Sequence, residues 1–290
     1  MAPTPERRGS ACNATDARRA GVSGAACVVF ATLVATLSFT PASGAAQTAV
    51  RVVAYNIRHG QGMDGRVDLE RIAQVLRGLD ADVITLQEVD DRTERTGGVD
   101  QAATLAEALG YRGFHGPHRP YQGGFYGNAI LTRLPVLGET THGIPPASGS
   151  ALAVLEVIVE SAPGRALSVV SVHLAGTPEE RMAQADTVTA RFAARTHPVI
   201  LAGDFNGRPD DDVVGRLRRD WRTGAKRGDP LTYPADRPDR EIDFVMWRSE
   251  SERVGAALRL VGHFVVEEPL ASDHRPLVAD FRLETRRERP

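Results

Sequence analysis

Apolar and polar positions change period several times along this chain, and each change predicts an element. Residues 49–57 (AVRVVAYNI) alternate and are rich in Val, which predicts a strand. From Asp68 the period lengthens, with Leu69, Ile72, Ala73, Leu76 and Leu79 at helical spacing behind an aspartate suited to cap the first turn. Residues 82–89 (DVITLQEV) form an apolar run ending in acid, a second predicted strand. A short helix is expected over 100–109, stopped by Gly110. Strands are expected at 128–132, 151–160 and 167–174. Thr177-Pro178-Glu179-Glu180 has the form of a capping box with Pro at the first helical position, opening an amphipathic helix to about Arg195. A buried-type strand follows at 198–204, then a short helix near 210–219, an arginine-rich loop, and strands at 242–247, 258–261 and 278–283. Strands outnumber helices and come partly in adjacent pairs. That departs from strict βα alternation and predicts an α/β fold of two packed mixed β-sheets flanked by helices.

The first fifty residues stand apart. Residues 1–20 are polar and carry arginines, 21–39 are uncharged, and small residues follow to Ala46. This is the pattern of a secretory signal cleaved after Ala45 or Ala46, giving a leader over 1–46 and a working domain over 47–290. A membrane anchor is the alternative, but the run is rich in Ala, Ser, Thr and Gly rather than Leu and Ile, which favours cleavage. Arg18-Arg19 leaves the export route open between the general and twin-arginine pathways. Cys12 and Cys27 are the only cysteines and both lie in the leader, so the exported body has no disulfide and no thiolate ligand. The expected location is periplasmic or secreted, without a stable membrane span after cleavage.

Composition narrows the class. With 290 residues, 42% hydrophobic and 25% charged, the chain is neither collagen-like, coiled-coil nor mostly disordered. Its formal charge of -2 becomes -4 without the leader, whose Arg7, Arg8, Arg18 and Arg19 outweigh Glu6 and Asp16. A faintly acidic body disfavours a long polyanionic partner. Lys226 is the only lysine and belongs to the one basic cluster, with Arg216, Arg218, Arg219, Arg222 and Arg227. Such a run reads either as a solvated helix face or as an anion-binding rim.

The chemical signal is a repeated placement: an apolar strand delivers an acid, amide or imidazole at or just past its carboxyl end. This holds for Asn56, Glu88, His173, Asp204 with Asn206, Asp243, and Asp273 with His274. Each alone has a bland reading, as a strand reaching water or a polar turn. Together they point to one site at a sheet edge, with Asp243 and His274 as natural partners, since a carboxylate fixes which imidazole nitrogen holds the proton. Carboxylates and amides are hard ligands for magnesium, calcium or manganese. No HExxH, G-x-S-x-G or Walker pattern is present. A hard cation beside two histidines and a carboxylate suits water attack on a phosphate ester.

The runs Tyr55-Asn56-Ile57, Leu86-Gln87-Glu88-Val89, Ser171-Val172-His173-Leu174, Gly203-Asp204-Phe205-Asn206, Ile242-Asp243-Phe244 and Ser272-Asp273-His274-Arg275-Pro276 resemble, in order, the motifs of the endonuclease/exonuclease/phosphatase superfamily of DNase I-like hydrolases. The resemblance spans about residues 51–283. It implies a four-layer α/β sandwich and divalent-metal-dependent hydrolysis of phosphoester bonds, with Mg2+ expected and Mn2+ or Ca2+ as alternatives. It also implies roles. Glu88 is similar to the metal-binding glutamate and Asn56 to the asparagine beside it, and Asp273 lies by the metal. Asp204 resembles the residue that aligns or deprotonates water, Asn206 its phosphate-binding companion, Asp243 the partner of His274, and His173 the second histidine of the DNase I, sphingomyelinase and inositol phosphatase branches. Asn128 in YGNAILTR and Arg58 after Asn56 are candidate substrate contacts. The expected substrate is a small-molecule or lipid-headgroup phosphoester, and the protein is expected to act as a monomer. An exported nuclease and a non-catalytic phospholigand-binding protein are the alternatives.

Overall fold

Four α-helices, three of them with a side-chain cap, and eleven strands build the body of this computed structural model, which describes residues 49–249 and 256–285. The leader readings at 1–46, including Cys12 and Cys27, lie outside the described residues. The first parallel pair is β1 (Ala49–Asn56) and β2 (Val83–Asp91), joined through helix α1 (Leu69–Leu79). Asp68 caps α1 by accepting the Arg71 N–H at 2.9 Å. Helix α2 (Gln101–Leu109) is capped by Asp100 and ends on Gly110, whose φ of 70° is the left-handed value glycine adopts without strain. Strands β3 (Arg112–Tyr121) and β4 (Gly124–Thr132) form a hairpin, as do β5 (Val136–Ala147) and β6 (Ser150–Ala162). A second parallel pair follows, β7 (Arg165–His173) and β8 (Val199–Asp204), bridged by α3 (Pro178–Phe192), where both bonds of the Thr177/Glu180 capping box form. Helix α4 (Asp212–Leu217), β9 (Asp243–Arg248), β10 (Ala256–Val265) and β11 (Leu277–Thr285) complete the chain.

One sheet has the order β10-β11-β1-β2-β4-β3 and the other β5-β6-β7-β8-β9. Alternation along each strand feeds two cores at once. Val50, Val52 and Ala54 of β1 face Leu167 and Val169 of β7 and Ile200 and Ala202 of β8 between the sheets. Val53 and Tyr55 of the same strand face α1 and α2 on the outside. Phe192 of α3 and Leu217 of α4 cover the other sheet. The molecule is therefore the expected four-layer α/β sandwich of two mixed sheets flanked by helices. No helix among the described residues is long and apolar enough to cross a membrane.

Two strands were not expected. β3 and β5 are both edge strands, and their sequences, RGFHGPHRPY and VLGETTHGIPPA, carry proline and glycine that an edge tolerates because one side of its backbone needs no partner.

Candidate active site

Register brings the polar residues to one edge. In the parallel pairs, Asn56 lies opposite Gln87 and His173 opposite Asp204. The carboxyl ends of the two pairs coincide across the sheets, because Asn56 Nδ2 donates to Asp204 Oδ2 at 3.2 Å. Asp243 and His274 arrive differently from the expectation: Asp243 is the first residue of β9, and Asp273-His274 precede β11. Both strands run antiparallel to their neighbours, with Asp204 opposite Asp243 and Ala54 opposite Leu277, so their amino ends reach the same edge.

Asn56 is the hub. Its Nδ2 also donates to Glu88 Oε1 at 3.1 Å and lies 3.5 Å from His274 Nε2. Its Oδ1 accepts the Arg58 N–H at 3.1 Å, so the amide turns its donor toward the carboxylates. His274 Nδ1 meets Asp243 Oδ2 at 2.9 Å. Nε2 of His173 and Nε2 of His274 each stand 3.7 Å from Asp204 Oδ2. The other Asp204 oxygen accepts the Asn206 N–H at 2.8 Å, and the Asn206 amide donates to the Leu174 carbonyl at 2.8 Å. Arg58 Nε approaches Asp273 Oδ2 at 3.5 Å. Of the candidate catalytic, metal-binding and substrate residues, Asn128 makes no contact with this cluster. Wholly buried, it donates to the Ala153 and Ser171 carbonyls at 3.3 and 3.2 Å, tying the sheets together, and presents no surface to a substrate.

Burial and like charge set the electrostatics. Burial pushes the Asp204 carboxyl up; His274 opposes the shift and Asp243 reinforces it. Burial works against a charged His274 too, but Asp243 and Asp204 outweigh it and hold this imidazole up to about 10. At neutral pH His274 is thus an imidazolium, donating to Asp243 through Nδ1 and turning Nε2–H to the Asp204 side.

Glu88 is held in an unusual way. Gln87 and Glu88 on β2 oppose the single residue Asn128 on β4, a bulge that gives Glu88 a φ of 58°. Left-handed backbone at a non-glycine residue costs about 1–2 kcal/mol, and the strain aims a half-buried carboxylate at the edge where Asn56 meets it. Among the described residues Glu88 has no cationic partner. An uncompensated oxygen donor so placed fits a hard divalent cation, as does the approach of ligand atoms of Asp204, Asp243 and His274 within 4.8 Å of one another.

Sequence reasoning missed two supports. Lys226 was read with the basic cluster, but its side chain is 1% exposed; it donates to the Asp243 carbonyl at 2.7 Å and pairs with Glu241 at 2.8 Å. Burial lowers its pKa against the pull of Glu241. Its being the only lysine was the available signal. Tyr233 packs on the His274 ring at 4.8 Å between centroids. The basic cluster itself is no continuous rim, because Arg216 is paired with Asp186 and Asp220.

Comparisons agree with this architecture. Residues 53–274 match the Endonuclease/Exonuclease/phosphatase family. The uncharacterized protein YbhP of Escherichia coli strain K12 is 26% identical over 255 residues, covering 82% of this chain and 98% of that protein. Among solved structures, the endonuclease/exonuclease/phosphatase of Beutenbergia cavernae aligns with a TM-score of 0.65 at 25% identity, over 82% of this chain and 72% of that one. Zebrafish (D. rerio) TDP2 complexed with a single-strand DNA product aligns with a TM-score of 0.64 at 19% identity, over 81% and 99%. With the family match covering most of its length, this chain belongs to the endonuclease/exonuclease/phosphatase family.

Proposed function

We propose that the protein hydrolyses a phosphoester bond of a small molecule or lipid headgroup by in-line water attack, with a divalent cation, magnesium first among the candidates. The observation that carries this reading is Asp204 standing between two imidazoles while Asp243 holds one of them by a 2.9 Å contact. Family members hydrolyse phosphoester bonds with metal, and this cluster contains the groups that chemistry needs. Glu88 and Asp273 would hold the cation, since Asp243 and His274 already satisfy each other. When bound, the cation supplies positive charge against the phosphate oxygens. Asp204 orients the attacking water and takes its proton, helped by a carboxyl that burial raises. The imidazolium of His274 donates toward a phosphate oxygen, His173 flanks the same oxygen of Asp204, and Asn206 fixes the loop and reaches phosphate. Arg58 is half exposed at the rim, placed to meet a substrate anion.

The nuclease reading stands second. A TDP2 structure with a DNA product supports it through shared fold alone, while the net charge of -4 outside the leader weighs against a long polyanion. Export through a leader cleaved near Gln47, and action as a monomer, belong to the same proposal and rest on the residue pattern. A screen of the purified protein with magnesium, manganese or calcium on plasmid, single-stranded DNA, phospholipids and simple phosphodiesters tests it. The expected result is turnover of small or lipid esters that chelator abolishes; efficient plasmid nicking with neither small nor lipid turnover would establish the nuclease instead.

A further inference from the structure

Beside the cluster, the β3–β4 hairpin carries a stacked group that the roles above do not use. Arg119 lies directly across from Tyr126, and the extra residue that puts them in register is His118, the bulge between Pro117 and Arg119. This bulge sits across β4 from that of Gln87 and Glu88, because Gly127 pairs with both Pro117 and Val89. Two strand spacings, about 10 Å, therefore separate the backbones of the two bulges. Side chains bridge the interval: His118 packs on Tyr126 at 5.9 Å and lies 6.3 Å from His173, which meets Asp204. Tyr121 is flanked by two guanidinium groups, Arg95 at 4.7 Å and Arg119 at 4.9 Å, and both also approach Tyr126.

The two arginines differ in one respect. Arg95 spends Nε and Nη2 on the buried carboxylate of Asp90, at 2.7 and 2.8 Å. Half-buried Arg119 has ring contacts and neither a carboxylate partner nor a hydrogen bond among the described residues. Its neighbour His118 is kept neutral by burial and its pKa is pushed down to about 3, so it adds no competing charge at neutral pH. The acids whose charge reaches Tyr126 are Glu88 and Asp204 of the cluster itself. Stacking fixes the plane of a guanidinium and leaves its N–H edge unspent, the arrangement that recognises a phosphate or carboxylate by paired hydrogen bonds.

We propose that Arg119 is a second anion subsite, and that the preferred substrate is a small phosphoester carrying a further phosphate or carboxylate beside the scissile group. The inference rests on the phosphoesterase reading of the adjacent cluster. Arg95 and Tyr121 position the guanidinium, and Arg119 selects the substrate.

The test uses p-nitrophenyl phosphodiesters of ethane-, propane- and butanediol, each with the distal hydroxyl either phosphorylated or left as an alcohol, assayed with the metal-loaded protein. Phosphorylation is expected to raise kcat/KM by about 10- to 100-fold for at least one chain length, mainly through KM, as a charge-assisted contact would. Arg119→Gln should bring the ratio near 1 and Arg119→Lys restore part of it. Turnover of both esters with a ratio near 1 throughout, or a ratio untouched by Arg119→Gln, overturns the subsite and leaves the hydrolase standing. Absence of any turnover overturns the hydrolase, and the subsite is then judged by nuclear magnetic resonance of the arginine Nε–H groups under titration with inorganic phosphate. A saturable shift lost in Arg119→Gln supports it, and no shift overturns it. Single-stranded oligonucleotides cut with higher kcat/KM than every small ester would overturn the small-substrate assignment, placing the second anion in a nucleic-acid backbone.

Discussion

Two carboxylates are equally hidden in this molecule, and their surroundings push them opposite ways. Glu156 on β6 accepts Ser168 Oγ at 2.6 Å on one oxygen, and meets His142 Nε2 at 2.8 Å and Arg195 at 2.5 Å on the other. Burial alone would raise it, but the contacts with His142, Ser168 and Arg195 win and hold it near pH 2. Asp204 on β8 has one side-chain donor within 3.2 Å, two imidazoles no closer than 3.7 Å, and Asp243 nearby; it is pushed up. A saturated carboxylate stabilises its ground state, whereas an under-satisfied one keeps lone pairs for a ligand. The first network braces the second sheet, and the second is the candidate site.

The contrast breaks most visibly at Asp204. Asp204→Asn removes charge with little change of volume and should lower kcat by about 100- to 10,000-fold, the range of general base groups. Its melting temperature should equal or exceed that of the wild type, because a destabilised buried charge is gone. Glu88→Gln should lose activity similarly, and its activity should recover at higher metal concentration if it holds the cation. Steady-state assays with a metal titration and paired melting curves check both; wild-type turnover of Asp204→Asn would remove it from the mechanism.

Next in size is the orienting contact. Asp243→Asn leaves an acceptor for His274 Nδ1 but removes the charge that helps hold this imidazole near pKa 10. Loss of such a positioning group typically costs about 10- to 100-fold, and the alkaline limb of the pH–rate profile should move toward lower pH. A profile displaced only in height would mean that Asp243 does not control His274.

How much of this was readable beforehand depends on what each residue's signal consisted of. Caps are local, so Asp68 and Thr177 announced their helices, and Gly110 announced the end of α2. The site was legible at Asn56, Glu88, His173 and Asp204, because a polar residue closing an apolar strand breaks a pattern. The direction of β9 and β11 was not legible, since antiparallel pairing lies in backbone hydrogen bonds. Strand β3 escaped for the same reason, its proline and glycine being permitted only by its edge position, and with it went His118, Arg119 and Tyr121. Lys226 was misplaced because it was grouped with the nearby arginines, and its being the only lysine, though visible, does not name Glu241 as its partner.

The Glu156 network should respond in stability and not in turnover. Glu156→Gln cancels the charge that Arg195 and His142 meet, and with Arg195 partly exposed the expected cost is about 1–3 kcal/mol. Urea unfolding at neutral pH measures it, and kcat should stay within twofold. A fall in kcat at unchanged stability would join the two networks, against the division drawn above.

The smallest effect is the sign of the pH dependence, and it separates the two carboxylates directly. Glu156 has a folded pKa near 2, below its ordinary 4.5, so its contribution is complete above about pH 4.5 and fades as pH falls toward 2. Asp204 is raised, so the folded state binds its proton more readily than the unfolded chain does, and the wild type gains from this group as pH falls through the raised value. In chelator, the stability deficit of Glu156→Gln should therefore shrink only below pH 4.5. Any surplus of Asp204→Asn over the wild type should shrink as pH falls through the raised value, where the wild-type carboxyl protonates and comes to resemble the amide. Unfolding free energies of the three proteins from pH 7 to pH 3 test this, and two differences that vanished over one common interval would show that the carboxylates share an environment after all.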